Sequence, residues 1–338
     1  MINVTFVTSD MGSEYSWGIK NYTLHLAKNF GNNVKIVIEE KKYKGIQNYI
    51  IYPKSVKSHL NQQDILHLIS QTFGYFTRFK FQNPTVITCH DMMAFSRPDM
   101  FDSKKRAILS RLLIRGMDKC DKIISVSEFT KNEVMRYMKV DEDKISAIHS
   151  GISETFRPQK KKSDLDYIVY FGSEEKRKNI SALIDAFSLL KMSFPELKLV
   201  KNYDNPKIRE KIRSMGLEKD VIITGNLSEK MMAEYYSNAK AFVFPSLFEG
   251  FGFTPLEAMA CGCPVASSNA AAMPEILGDA PLYFNPSNPE EIAQSVSSIM
   301  NDKTLSIRLS RKSTNRAKKF TWKTTAKKTR KVYEEVLE

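Results

Sequence analysis

The amino-acid sequence predicts an α/β protein made of two doubly wound parallel sheets in tandem, with ligands expected in a cleft between them. Three observations predict it. The chain has 338 residues, and at roughly 150 residues per domain that is enough for two separate cores. Strand-like runs alternate with amphipathic helical stretches almost throughout, the pattern of parallel sheets covered on both faces by helices. A polar segment near the middle, RPQKKKSDLD at 157–166, has no periodicity and separates two rounds of that alternation.

In the first round, strands are expected at 3–8, 34–38, 65–68, 85–89, 122–126 and 144–148, with amphipathic helices at 19–30 and 128–138. In the second, strands are expected at 167–171, 198–200, 221–224, 240–244 and 264–267. The expected domains are therefore 1–158 and 166–320, with a last helix over 321–338 that is able to pack back on the first. Sheets of this kind bind ligands beyond the carboxyl ends of their strands.

Composition excludes several classes. Apolar residues make up 42% and charged residues 26% of the chain, values of a folded globular protein rather than a disordered one. No uncharged apolar run approaches the roughly 18 residues of a membrane span. The opening MINVTFVTSD enters a strand pattern with no basic leader, so no secretory signal and a cytoplasmic location are expected. Cys89, Cys120, Cys261 and Cys263 lack metal-ligand spacing and read as buried reduced thiols.

The net charge of +13 calls for an acidic partner without choosing among nucleic acid, anionic membrane and phosphorylated small molecules. Residues 303–333 hold twelve Lys or Arg and no acid, interleaved with Phe320, Trp322 and Val332. Basic amphipathic helices with a solvated face are expected there. A second basic stretch, 104–122, carries Ile108, Leu109, Leu112, Leu113 and Met117 at helical spacing, and that stripe reads as core. No recognisable reader module accompanies these cations, so no nucleic-acid partner is expected.

The most informative stretch is FPSLFEGFGFTPLEAMACGCPVAS, residues 244–267. A strand ends near Phe244, a Gly-containing loop follows, and a helix is expected from Thr254. Thr254 would cap it, with Pro255 at the first helical position and Glu257 at the third, so Glu257 has a local explanation as half of a capping box. Gly250 and Gly252 let backbone N–H groups approach a ligand, and the helix start adds a positive dipole end suited to phosphate. Glu249 lies in the loop with no periodic face to explain it. A carboxylate beside an anion-binding helix start suits a ligand with both phosphate and hydroxyl groups, such as a nucleotide sugar.

Glu249-Gly-Phe-Gly-Phe-Thr-Pro-Leu-Glu257 resembles the E-x7-E signature of the retaining glycosyltransferases related to glycogen synthase, the large group 1 family. The likeness continues through the segment after it, through YFGSEEKRKNI at 170–180, and through SVSEFTKNEV and HSGISETFRP within 125–158. Fainter traces are CHDMMAF at 89–95 and SWGIKNYTLHLAK at 16–28. The resemblance covers essentially the whole chain and implies the GT-B fold, two Rossmann-like domains facing a central cleft. The first domain would take the acceptor and the second the nucleotide-sugar donor.

The resemblance also implies roles. The first Glu of the pair and the amides after it would contact the donor sugar hydroxyls, here Glu249, Gly250, Phe251, Gly252 and Phe253. Glu257 would hold the ribose hydroxyls, with Thr254 and Leu256 close to the diphosphate. Lys178 would neutralise the leaving diphosphate, and His90 would lie beside the sugar, although a lone histidine at a strand end is as readily structural. Gly18, Gly172 and Arg177 complete the expected donor-binding positions.

Two departures matter. Where the family has Arg after the glycine of the strand end, this sequence has Ser173, so Lys176 or Arg177 would have to supply the missing charge. The glycine-rich loop of the first domain is reduced to Trp17-Gly18-Ile19-Lys20, where Trp17 and Lys20 would crowd the phosphate, reducing activity or reshaping the acceptor pocket.

The implied reaction moves a hexosyl group from a nucleotide-diphosphate sugar to a saccharide or lipid-linked acceptor with retention of configuration, using no metal or other cofactor. The triplets Asp141-Glu-Asp143 and Asp164-Leu-Asp166 read as solvated acids rather than metal ligands. Lipid-linked acceptors among relatives imply peripheral contact with anionic membrane at the cytoplasmic face. The alternatives are another GT-B chemistry, an epimerase or phosphorylase, and a catalytically silent sugar- or polyanion-binding protein. A nicotinamide enzyme is not supported, because no G-x-G-x-x-G follows the first strand. Intact Glu249, Glu257 and Lys178 favour the transferase, since a silent binder has no need of them.

Overall fold

The computed structural model describes residues 1–8, 17–40, 47–61, 63–160 and 165–338. They form two compact units, Met1–Gly151 with Thr321–Glu338, and Ile152–Phe320.

The first unit runs β1 (Ile2–Thr8), α1 (Trp17–Lys28), β2 (Val34–Glu40), α2 (Gln47–His59) and β3 (Ile65–Leu68). A 3-10 segment, Gln71–Phe79, leads to β4 (Thr85–Cys89) and the short α3 (Met93–Ser96). Then come α4 (Lys104–Ile114), β5 (Lys122–Ser125), α5 (Glu128–Tyr137) and β6 (Ile145–Ala147). The six strands are parallel in the order β2-β1-β3-β4-β5-β6. Every residue of β3 and β4 is buried, as expected of central strands covered on both faces. Ser103 and Ser127 start α4 and α5 by accepting the Arg106 and Thr130 amides at 3.3 and 3.0 Å.

The second unit repeats the plan with β7 (Tyr167–Tyr170), α6 (Ile180–Ser193), β8 (Lys198–Lys201), α7 (Pro206–Ser214) and β9 (Val221–Ile223). It continues with α8 (Glu229–Asn238), β10 (Ala241–Phe244), α9 (Phe253–Ala260) and β11 (Val265–Ser268). It closes with α10 (Met273–Leu277), β12 (Leu282–Phe284), α11 (Pro289–Asn301) and α12 (Lys303–Ala317). Its parallel order is β12-β11-β10-β7-β8-β9. The expected strands appear, but β12 was not among them. It is a three-residue edge strand between Pro281 and Pro286, too short for a periodicity to show.

The last helix, α13 (Trp322–Glu335), returns to the first unit. Its Trp322, Ala326, Val332 and Tyr333 are buried while Lys323, Lys327, Lys328 and Lys331 are exposed, the basic amphipathic pattern expected for it. Gly151 makes the approach possible, since a Cβ there would stand 2.1 Å from the Trp322 nitrogen. The expected first domain, 1–158, ends earlier, at Gly151. Residues 152–158 go with the second unit, where the Ile152 amide donates to the Phe320 carbonyl at 3.2 Å and Ser153 Oγ donates to Glu229 at 2.7 Å. Residues 161–164 of the expected linker lie outside the described residues.

The reading of 104–122 as a core stripe is corrected. Met117 is fully buried, but Ile108, Leu109 and Leu112 are 57%, 46% and 42% exposed. α4 instead buries Ala107 and Ile114, and heptad-like spacing alone could not tell which side faces in. All four cysteines are reduced and buried. Among the described residues no helix is long and apolar enough to cross a membrane.

Candidate functional site

In the second sheet the strand order reverses between β7 and β10. Loops leaving the carboxyl ends of such a pair line the place where doubly wound sheets take ligands. Lys178 lies on the first of these loops and Glu249 on the second. Backbone and side chain tie the loops together. The Leu247 amide and Ser246 Oγ donate to the Arg177 carbonyl at 2.7 and 3.1 Å. Asn179 Nδ2 donates to the carbonyls of Pro286 and Pro245 at 2.7 and 3.2 Å.

At the centre stands one carboxylate between two cations. Glu249 Oε1 is 2.6 Å from Lys178 Nζ and 2.9 Å from Arg177 Nη1, and Ser246 Oγ donates to it at 2.7 Å. Burial works against the Glu249 charge, but Arg177, Lys178 and the hydrogen bonds outweigh it and hold the carboxyl down at about 2. Burial likewise pushes the Lys178 ammonium below its ordinary range, against the pull of Glu249. Its Nζ also lies 5.3 Å from the centre of the Phe244 ring. Arg177 reaches Glu175 Oε2 with its other nitrogen, at 2.8 Å.

Arg177, one of the two residues proposed to replace the missing charge, is therefore held against Glu249. Ser173 brings none. Its Oγ donates to Glu175 at 3.2 Å and its carbonyl accepts the Tyr170 hydroxyl at 2.7 Å. The Gly172 amide donates to Asn202 Oδ1 at 3.0 Å.

Helix α9 begins at the end of the second loop, one residue earlier than expected. Its cap is Gly252, at φ +92°, and not Thr254. A side chain at Gly252 would be strained by the backbone and would meet Met273 Cε at 2.6 Å. Phe253 and Thr254 form the first turn, at the positive end of the helix dipole. Leu256 is fully buried and Phe251 nearly so, packed on Phe253 and Phe320. Any ligand contact from these two is made by main chain.

Glu257 is not half of a capping box. It is only 3% exposed, with the Tyr236 hydroxyl beside its carboxyl, and its Oε2 has no partner in good hydrogen-bond geometry among the described residues. Burial first, and then the charge of Glu229, push its carboxyl up to about 8. A buried carboxyl oxygen without a donor costs stability, and perturbed carboxyls of this kind mark functional sites.

Sequence reasoning missed a buried ion pair beside these loops. Lys201 Nζ and Glu174 Oε1 are 2.6 Å apart, with side chains 1% and 3% exposed. Glu174 also accepts the Asn205 amide at 3.0 Å. The one available signal was a lysine closing the apolar run of β8.

The first unit holds His90 and Gly18. His90 follows β4. Its Nε2 faces the Ile69 carbonyl at 2.8 Å, which can only accept, so Nε2 carries the proton. Its amide donates to Gln71 Oε1 at 3.0 Å, and Tyr22 packs edge-on at 5.0 Å. Burial lowers the His90 pKa, so the ring is neutral. Behind it, His67 Nδ1 meets the Tyr333 hydroxyl at 2.6 Å and Nε2 meets Thr88 Oγ1 at 2.8 Å, and Thr88 lies 3.4 Å from the Tyr22 hydroxyl. The 17–20 segment is not a loop. Gly18 and Lys20 sit in the first turn of α1, and among the described residues nothing lies within 4 Å of a Cβ built on Gly18. Residues 9–16, just before Trp17, lie outside the described residues.

Comparison with known proteins bears on the family and the fold. Residues 152–320 match the model of glycosyl transferases group 1, and residues 18–156 match that of glycosyltransferase family 4. A serotype-specific mannosyltransferase WbdA of Escherichia coli is 30% identical over 78% of this chain and 36% of its own length. The chain thus spans about a third of that relative. The O-antigen chain mannosyltransferase B of Escherichia coli is 27% identical over 73% of this chain and 69% of its own. Among solved structures, Anabaena HepE in complex with UDP and glucose superposes with a TM-score of 0.82 at 14% identity, covering 99% of this chain and 100% of that one. Sucrose-phosphate synthase from Thermosynechococcus elongatus gives 0.80 at 16% identity, covering 99% of both chains. Two parallel six-stranded sheets, a switch-point carboxylate clamped by Lys178 and Arg177, and these matches lead to one assignment: the chain belongs to the group 1 glycosyltransferase family and has the GT-B fold.

Proposed function

We propose that the chain transfers a hexosyl group from a nucleotide-diphosphate sugar to a saccharide or lipid-linked acceptor, with retention of anomeric configuration. The observation that carries this reading is the Lys178–Glu249–Arg177 cluster at the switch point of the second sheet. The mannosyltransferase relatives support a mannosyl donor. The reading assigns the donor to the second unit and the acceptor to the first.

Breaking the bond between the sugar and the diphosphate puts negative charge on the leaving phosphate. Lys178, Arg177 and the start of α9 would meet that charge, each donor being worth roughly 2.7–4 kcal/mol of barrier. Glu249, kept ionised, would accept hydrogen bonds from sugar hydroxyls and hold the two cations in place. Glu257 would pair its unmatched oxygen with the ribose hydroxyls. In the first unit neutral His90, with Nε2 protonated, keeps Nδ1 as a hydrogen-bond acceptor. The acceptor's proton would pass to the donor phosphate during front-face attack, so Glu249 need not be a nucleophile. In this reading the cations are the protein's own, and no metal ion takes part.

The test is nucleotide release from UDP-, GDP-, ADP- and dTDP-sugars, with and without a cell lipid extract, using Glu249→Ala as the blank. Release from one donor, lost in the blank, is expected. Stimulation by the extract would identify a lipid-linked acceptor. No release from any donor by folded protein would favour the silent sugar-binding protein instead.

A further inference from the structure

The loop that carries Arg177 and Lys178 has no apolar side chain of its own. Between Phe171 and Ile180 the chain reads GSEEKRKN, so its own packing cannot hold it, and hydrogen bonds and ion pairs must. On one side it is tied to the loop after β10 through the Arg177 carbonyl. On the other it is tied to the end of β8. The Gly172 amide donates to Asn202 Oδ1 at 3.0 Å. Glu174 is held twice, by Lys201 Nζ at 2.6 Å and by the Asn205 amide at 3.0 Å. Both holding groups are themselves fixed. Lys201 ends β8 opposite Tyr170 in the ladder, its Nζ donates to the Tyr203 carbonyl, and its own carbonyl accepts the Thr224 amide at 2.9 Å. Asn205 caps α7, its side chain accepting the Lys207 amide at 2.9 Å. The Tyr170 hydroxyl, which donates to the Ser173 carbonyl, is within electrostatic reach of both Glu174 and Glu249.

We propose that Lys201 and Glu174 are positioning residues: their ion pair fixes the loop that presents Arg177 and Lys178 to the donor diphosphate, and it balances a carboxylate that would otherwise repel that diphosphate. At 1% and 3% exposure neither side chain is open to a ligand itself. Stability alone accounts poorly for the pair. Burial pushes the Glu174 carboxyl above its ordinary range, against the pull of Lys201, and apolar side chains of similar size would avoid that desolvation. What an ion pair adds is a fixed direction, which a loop without apolar anchors needs. A contrasting cluster stands at the other end of the same strand, where Lys198 and Lys191 reach Asp220 at 2.6 and 2.9 Å. It holds the sheet without touching the loop. The positioning role rests on the nucleotide-sugar reading of the site.

The experiment is calorimetric titration of the whole chain with UDP and GDP, and with UMP and GMP, alongside thermal unfolding. Lys201→Met/Glu174→Met exchanges the pair for apolar side chains of similar size. It should keep at least the wild-type melting temperature. It should bind the preferred diphosphate about tenfold more weakly and the matching monophosphate as wild type does. Glu174→Gln, which keeps an acceptor for the Asn205 amide, decides the matter if the double variant does not fold, and should lose roughly threefold in diphosphate affinity. Asp220→Asn should bind both nucleotides like wild type. Three results would each overturn the proposal. One is an unchanged preference for diphosphate over monophosphate in the folded double variant or, failing it, in Glu174→Gln. Another is equal weakening of both nucleotides, which would place the effect at the nucleoside. The third is the same selective loss in Asp220→Asn, which would mean a general loosening of the sheet. Wild-type protein that binds none of the four nucleotides would overturn the transferase reading itself, and the positioning role with it.

Discussion

Both sheets reverse their strand order next to their first strand, yet the chemistry at the ends of their strands differs. In the second unit the groups around the switch point are charged. Glu249 is ionised between Lys178 and Arg177, Lys201 and Glu174 form a buried pair, and Glu257 is a carboxyl held near neutrality by burial. In the first unit, among the described residues, the groups packed behind the ends of β3 and β4 are mostly neutral and aromatic, with the Asp91 carboxylate beside His90. His67 and His90 are uncharged, Tyr333, Thr88 and Tyr22 link them, and Phe6 and Trp322 close the packing. In the proposed reaction, fixed charges suit a donor that always carries a diphosphate. A neutral network of rings and hydroxyls can be reshaped residue by residue without stranding a charge.

The comparison makes its largest prediction at Lys178. Lys178→Ala should lower kcat by about 10²–10³-fold, the loss typical of one preorganised donor. It should raise donor KM much less, because charge on the phosphate grows during bond breaking. Steady-state kinetics with the donor identified by nucleotide release checks this. An effect confined to KM would mean that Lys178 only binds substrate, and the contrast between the two units would lose its catalytic meaning.

Opposite titrations give the second prediction. Burial lowers His67 from 6.5 to about 3, so the unfolded chain binds the extra proton and this contribution to stability, full above pH 6.5, is lost as the pH falls. At pH 5 the loss amounts to about 2 kcal/mol. Glu257 runs the other way. Its folded value of about 8 lies above 4.5, so its penalty grows as pH rises from 4.5 towards 8. Comparing denaturant unfolding of wild type and His67→Gln at pH 7.5 and 5 isolates the first effect. The wild type should lose about 2 kcal/mol more on acidification than the variant. Equal slopes would show that His67 is charged or solvated in the folded state.

The same contrast explains what could be read from the sequence. Alternation of strands and helices predicted both sheets, since central strands such as β7 and β10 are continuous apolar runs. Glu249, Glu257 and Lys178 were legible because they stand in a dense local motif. The network behind His90 was not, because His67 and Tyr333 are 266 residues apart and meet only after α13 folds back. The cap of α9 was misplaced by two residues because Thr254-Pro255 mimics a helix start, whereas Gly252 wins through its left-handed backbone. The α4 face was misread because periodicity reports a stripe and not the direction in which it points.

Glu257 tests most directly the central claim that the second unit keeps its carboxyls for a ligand at a cost in stability. The measurement is one pair of experiments on Glu257→Gln at pH 7, denaturant unfolding and calorimetric titration with the nucleoside diphosphate of the donor. The account predicts a variant more stable than wild type, by up to about 3 kcal/mol, that binds the nucleotide about tenfold or more weakly. A variant that is less stable and binds the nucleotide as wild type does would make Glu257 a packing group and contradict the claim.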